Sequence, residues 1–236
     1  MLNASAFHVK MARMARNGAK ADVRERLVAA AETLFAGAGV DAVSLREINA
    51  AAGAGNASAI QYYFGDRAGL LRAVLAKHHP TVESRRHALL DQYEADGRSG
   101  DLRALAAALV RPLAAELDDP DGGPGYLQIL ADLVNRPRPV LPGASTDDPA
   151  DSTYRWRMLV EPLLAPDAVR LHRRFVAIRF TMTELARRSR DGHTSETPFF
   201  VSHLIDLVAA LLAAPVSDET HRQIRNGPKP ARRPRR

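Results

Sequence analysis

The chain has no cysteine. That rules out a disulfide scaffold, thiolate metal sites and cysteine nucleophiles, and says nothing of compartment. Nor is there a long apolar run. The longest stretch, Leu204 to Val216, is interrupted by Asp206 and Pro215, short of the ~18 apolar residues of a membrane-spanning helix. Residues 1–20 carry Lys10, Arg13, Arg16 and Lys20 but no continuous apolar segment of the kind that opens a secretory signal. No membrane partner is expected, and the cytoplasm is the default location. Sustained apolar–polar alternation is missing too, so nothing reads as a β-sheet. No repeat recurs at a fixed period.

What is present is charge, unevenly placed. The formal net charge is +6 over 236 residues. Residues 1–77 hold ten Lys/Arg against six Asp/Glu, residues 78–220 sixteen against twenty-one, and residues 221–236 seven against none. A basic start and end around a mildly acidic middle suggest that the ends meet a polyanion. Basic tails that only aid solubility are the plainer alternative.

Ala, Leu, Arg and Glu dominate the periodic segments, so the expected fold is all-α. A first helix fits about Asp22 to Gly37, with Leu27, Ala30, Ala31, Leu34 and Phe35 on one face. Gly37 and Gly39 end it. Ser44-Leu45-Arg46-Glu47 has the capping-box form and opens a second helix that runs to about Ala52. Gly53-Ala54-Gly55 breaks it. A third helix starts with Asn56 as its N-cap and ends at Gly65. Asp66 then caps a longer fourth helix carrying Leu70, Leu71, Val74 and Leu75, in which Pro80 marks a kink or a first turn. Further helices fit about 101–117, 124–135, 151–164, 167–190 and 197–214. Residues 118–123 and 136–149 read as loops, and the Pro- and Arg-rich end as disordered. The domain plan is a basic arm at 1–20, a three-helix DNA-binding domain with a helix-turn-helix at 21–66, a larger C-terminal helical ligand-binding and dimerisation domain at 67–215, and a disordered basic tail at 216–236.

Two short helices joined by a glycine-containing turn form the helix-turn-helix arrangement, whose second helix meets base edges in the major groove. Asn56, Ser58 and Gln61 are uncharged hydrogen-bonding groups of the kind that read bases. Tyr62 and Tyr63 can set a hydroxyl on phosphate. Ser44, Arg46 and Arg67 lie at helix starts, where backbone phosphates are gripped.

The stretch Ser44 to Gly53, followed by Ala59-Ile60-Gln61-Tyr62-Tyr63-Phe64-Gly65-Asp66-Arg67 and Leu70-Leu71, resembles the tetracycline-repressor (TetR) family over about residues 22–75. Leu34-Phe35 and Gly39-Val40 match the same pattern. The resemblance implies that Ser44, Arg46 and Arg67 hold phosphates and that Ala59, Gln61, Tyr62 and Tyr63 stand at the DNA surface, with Phe64 in the core. The chain departs from the family at the turn, where Ala54 and Gly55 stand in place of an apolar side chain, and at Gln61, where Tyr is common. A dimeric, sequence-specific transcription regulator is implied, a repressor released from double-stranded operator DNA by a small molecule. An N-terminal arm reaching the minor groove and nonspecific affinity from Arg232 to Arg236 would be accessory.

In the C-terminal part, Tyr126, Trp156, Met158, Phe175 and Arg179 are candidates for lining a largely apolar effector pocket, against the alternative that they only fill the core. Phe200, Leu204, Leu207, Val208 and Leu211 lie on a helix apolar over a wide arc, which needs two buried sides. A homodimer through the last two long helices would supply the second. Three other groupings are set aside. Ser202, His203 and Asp206 share a helix without a nucleophile elbow. Gly122-Gly123-Pro124-Gly125 lacks the Lys-Ser/Thr of a phosphate loop. His79, Glu83 and His87 fall on one helical face but read as a solvated or ion-paired surface. No enzyme activity, metal or cofactor is expected. The competing readings are a helical enzyme or small-molecule carrier with an incidental helix-turn-helix, and a regulator that needs no ligand.

Overall fold

The computed structural model describes residues 4–54, 56, 58–138, 148–191 and 196–226, with side chains from residue 21 onward. Among these residues there are helices and no strands, as the periodicity predicts. In chain order the helices are α1 (Ala4–Ala38), α2 (Leu45–Ala51), α3 (Ala59–Phe64), α4 (Arg67–Ala95), α5 (Leu102–Ala114), α6 (Gly123–Val134), α7 (Ser152–Val160), α8 (Pro166–Arg170), α9 (Arg173–Arg190), α10 (Thr197–Ala213) and α11 (Asp218–Asn226).

Several boundaries differ from those expected, each for a local reason. α1 begins at Ala4 and not near Asp22, because residues 4–20 are mostly strong helix formers with no proline to stop them. The side chains of Lys10, Arg13, Arg16 and Lys20 lie outside the described residues. α4 runs straight through Pro80. The segment expected as one helix over 167–190 is two, α8 and α9, split at His172, whose φ of 55° is left-handed. α7 tightens into a 3-10 turn over Glu161–Leu163, where Pro162 has no N–H to continue the α-helical pattern. The expected disordered tail contains α11. Asp218 and Glu219 sit at its start and Arg225 at its end, in the order the helix dipole favours. His221 on α11 meets Asp167 on α8 at 2.5 Å. Residues 227–236 lie outside the described residues.

α5 is the centre of the body. Leu105 to Val110 are all buried, and the helix packs on α4, α7, α9 and α10. A helix with so many buried alanines lets its neighbours approach closely. The Trp156 indole on α7 is sealed against it and donates to the Leu105 carbonyl at 2.7 Å, which satisfies the one polar group the indole brings inside. α6 packs on α9 and also on α1, so it touches both ends of the molecule.

α1 is joined to the body through both α6 and α4. The His78 imidazole on α4 is buried between two buried carboxylates, Glu32 of α1 (Nε2 to Oε1, 2.6 Å) and Glu116 of the 3-10 turn Ala115–Asp118 (Nδ1 to Oε2, 2.9 Å). Burial by itself would lower its pKa. The hydrogen bonds to Glu116 and Glu32 outweigh that and raise it to about 9, so the ring is charged at neutral pH. Tyr126 of α6 stacks on the ring with centroids 4.8 Å apart.

The glycines at 122–125 serve this junction. Gly122 has φ 94° and lies against the Glu32 carboxylate, where a Cβ would overlap the carboxylate oxygens. Both the backbone angle and the close approach demand glycine. Gly122→Ala is expected to lower unfolding stability by about 1–3 kcal/mol, read as a fall in the denaturant midpoint. Gly100→Ala, at a position with open space around it, should leave the midpoint nearly unchanged.

Candidate nucleic-acid interface

Ser44 begins α2 with a complete capping box. Its Oγ accepts from the Glu47 N–H (3.2 Å), and its own N–H donates to Glu47 Oε2 (2.7 Å). The hydrogen bonds from the Ser44 side chain and backbone hold the Glu47 carboxyl below its usual pKa. At the other end Gly53 takes φ 60°. Its N–H donates to Ala50 O, and the Ala54 N–H reaches back to Asn49 O. This is the Schellman closure, in which the residue after the glycine usually makes an apolar contact back onto the helix. Ala54 supplies only a methyl group, half-buried against the core. A cleft of about 340 Å³ stands beside it, lined by Val23, Arg26, Gly53, Ala54, Asn56, Ala59, Tyr62 and Tyr63.

The start of α3 differs from the expectation in one respect. The N-cap position is Ser58 and not Asn56, and Ser58 makes no side-chain cap. Asn56 instead shapes the turn: its Oδ1 accepts from both the N–H (3.0 Å) and the Oγ–H (2.7 Å) of Ser58. α3 then buries Ala59 and Ile60 and exposes Gln61 and Tyr62, the latter 67 % exposed. Tyr63 is half-buried, edge-on to Tyr62 at 4.9 Å. Phe64 packs inward beneath the Arg24 guanidinium at 5.3 Å. Gly65 closes the helix with φ 79°, and Asp66 Oδ1 caps α4 by accepting from the Gly69 N–H at 2.6 Å.

The expected DNA-facing residues therefore fall into two groups. Ser44, Arg46, Asn56, Ser58, Gln61 and Tyr62 are exposed around the turn and α3. Ala59 belongs to the buried core and anchors the helix instead of presenting a side chain. Arg67 is half-buried, and its guanidinium donates to the Val40 carbonyl at 2.7 Å. Asp132 and Arg136 of the α6 end also hold the α1–α2 turn. The Val40 N–H points at Asp132 Oδ2 (3.3 Å), and Arg136 bridges Asp41 (3.0 Å) and Asp132 (3.1 Å). Sequence reading missed this clamp, because nothing local links residue 40 to residue 132. It also missed Arg26, which lines the cleft together with Asn56 and Tyr62.

The candidate effector residues differ in their surroundings. Tyr126 and Trp156 are sealed in the core, while Met158, 42 % exposed, and Arg179 lie at the surface, Arg179 over the half-buried Phe175 at 5.9 Å. On α10, Leu204 and Val208 are buried in the chain's own core, with Ile205 and Leu212. The face left open carries Phe199 (76 % exposed) and Leu207 (41 % exposed), flanked by the half-buried Phe200 and Leu211. The apolar arc divides as a two-sided helix should, but the outer stripe includes Phe199 and excludes Leu204 and Val208. Asp206 pairs with Arg103 (2.9 Å) and His203 stacks on Phe199, so Ser202, His203 and Asp206 do not converge. Glu83 is taken up by Ser152 and Arg86, and His87 by the Ala150 carbonyl.

Two short helices around a glycine turn, the second buried on one side and polar on the other, define a helix-turn-helix domain of the DNA-binding kind. Residues 27–74 match the family model described as bacterial regulatory proteins, tetR family. The N-terminal part of the chain therefore carries a helix-turn-helix domain of the tetR type, the kind found in bacterial regulatory proteins. The chain is also similar to a crystal structure of a candidate TetR-family transcriptional regulator from Rhodococcus sp., at 19 % identity over 82 % of this chain and 100 % of that one, with a TM-score of 0.41. That likeness is too distant to carry an argument. No curated protein matches the chain. No single helix among the described residues is long and apolar enough to cross a membrane.

Arg67→Ala removes a charged donor from a half-buried carbonyl. It is expected to cost about 1–3 kcal/mol of stability and to weaken binding to all DNA sequences alike. Thermal unfolding and affinity for unrelated duplexes check the two effects. A residue that touched only phosphate would change the second and leave the first unmoved.

Proposed function

We propose that the chain is a homodimeric repressor whose two α3 helices enter successive major grooves of a pseudo-palindromic operator, and which a small molecule bound in the C-terminal domain releases. The observation that carries the DNA half is the exposure of Gln61 and Tyr62 on a helix whose other side, Ala59 and Ile60, is locked in the core. A rigid helix with polar side chains outward suits base readout. Ser44, Arg46, Asn56 and Ser58 flank it as backbone contacts. The dimer half rests on the open Phe199 and Leu207 face of α10, an apolar surface that a second copy covers by two-fold symmetry. Release follows if the effector favours a conformation in which the two α3 helices no longer match the groove spacing, and DNA then weakens effector binding by the same factor. The cytoplasm, where operator DNA lies, is the location this role requires.

A mobility-shift titration on the gene's own upstream DNA, against nonspecific competitor, should show a specific complex. Gln61→Ala should weaken that complex by about 1–3 kcal/mol or relax its base preference. Wild-type affinity and preference in this variant would remove Gln61 from the readout. A helical enzyme or carrier would give no specific complex at all.

The dimer surface has its own test. Leu207→Glu should yield a folded monomer in sedimentation velocity, because the side chain sits on the open face. Leu204→Glu should instead unfold the chain, since it places a charge in the core. A dimeric Leu207→Glu would sink the proposed interface.

A further inference from the structure

We propose that the junction between α1 and the body is a divalent-cation site, formed by His78 Nδ1, Glu116 Oε2 and Asp119 Oδ2. The three ligand atoms lie within 4.8 Å of one another. Two carboxylate oxygens from different residues approach the same ring nitrogen, Glu116 Oε2 at 2.9 Å and Asp119 Oδ2 at 3.5 Å. One N–H can serve only one of them well, whereas a cation serves both. Around a tetrahedral ion with bonds of roughly 2.0–2.1 Å, neighbouring ligand atoms stand about 3.3 Å apart, and these two separations bracket that value.

Each ligand has its other polar atom held by an outer partner, the arrangement that orients metal ligands. His78 Nε2 is fixed by Glu32 Oε1 at 2.6 Å. Glu116 Oε1 is fixed by Arg85 at 2.7 Å. Asp119 Oδ1 accepts from the Asp121 N–H at 2.9 Å. Glu32 is itself held by Lys77 at 2.9 Å, and Lys77 pairs with Asp121 at 2.8 Å. In each case the atom left over is the one that turns inward. By contrast His79, Glu83 and Asp151 also stand close together, but Glu83 is spent on Ser152 and Arg86, and Asp151 caps α7 through the Tyr154 N–H.

The Asp119 side chain is one-third exposed and gives the ion a way in, with a fourth position left for water. An imidazole and two carboxylates suit zinc and its neighbours better than calcium or magnesium, which take oxygen alone. On binding, the ion takes the place of the Nδ1 proton, which leaves to solvent. The ion then ties α4 to the 3-10 turn beside Glu32, so it stiffens the attachment of α1. Its effect on operator affinity rests on the repressor reading; the site itself does not.

Calorimetric titration of the full chain with zinc chloride should show one ion bound per chain. Asp119→Asn, which keeps the Asp121 contact and lies at the edge of the core, should weaken that binding at least ~tenfold. Asp206→Asn, on α10 and paired with Arg103 away from every proposed ligand, should leave it unchanged. Absence of binding, or equal binding by wild type and Asp119→Asn, overturns the site. Operator titrations with and without zinc then test its consequence. A shift in operator affinity in the wild type but not in Asp119→Asn supports regulation through the junction. Zinc binding with unchanged operator affinity overturns that role and leaves the site standing. Failure to bind operator under either condition overturns the repressor reading alone.

Discussion

The two-sided grip on His78 is the interaction around which the molecule is organised. One ring nitrogen holds Glu32 of α1 and the other holds Glu116 of the body. A buried charge flanked this way cannot lose one partner cheaply, because the remaining carboxylate would stay in a low-dielectric setting without its counter-charge. α1 therefore cannot shift on α4 without disturbing the start of α6. Lys77 and Arg85 add outer cations to the same carboxylates, and Gly122 provides the room that lets Glu32 come this close.

A second tie lies nearer the DNA-facing surface. Arg67, Asp132 and Arg136 hold the α1–α2 turn from two directions, α4 and the end of α6. Because α4 continues from the cap at Asp66 into the body, rotation of α4 carries α3 with it. The turn after α2 borders a cleft. The Gly53 and Ala54 N–H groups are bonded back to α2, and the cleft beside Ala54 is also lined by Val23, Arg26, Tyr62 and Tyr63.

Much of the fold was legible locally. The Ser44–Glu47 capping box, the glycine stops at 53 and 65 and the Asp66 cap are short-range chemistry, and each appears at its expected position. Helix breaks that depend on competition between local signals were less legible. Asn56 satisfies its own turn and leaves the cap position to Ser58. His172 breaks a helix without any glycine or proline at that point. Residues 218–226 form a helix although the tail's overall composition is poor in apolar side chains. Among the candidate site residues, the polar ones near the turn stand at the surface, but Ala59 and Arg67 do not present themselves in the way their sequence positions suggest.

The sequence by itself determined the helical class, the order of the N-terminal helices and the type of the helix-turn-helix domain, because these rest on periodicity and contacts within four or five residues. Tertiary structure decided which side of each helix is spent. It assigned Leu204 and Val208 to the core and left Phe199 and Leu207 outside, a choice set by where α5 lies and not by any feature of α10. It also brought Glu32, His78, and the Glu116 and Asp119 pair to one point from three separate places in the chain. Hydrophobic periodicity identifies an apolar arc but not the neighbour that covers it, and a charge carries no sequence mark of its distant partner.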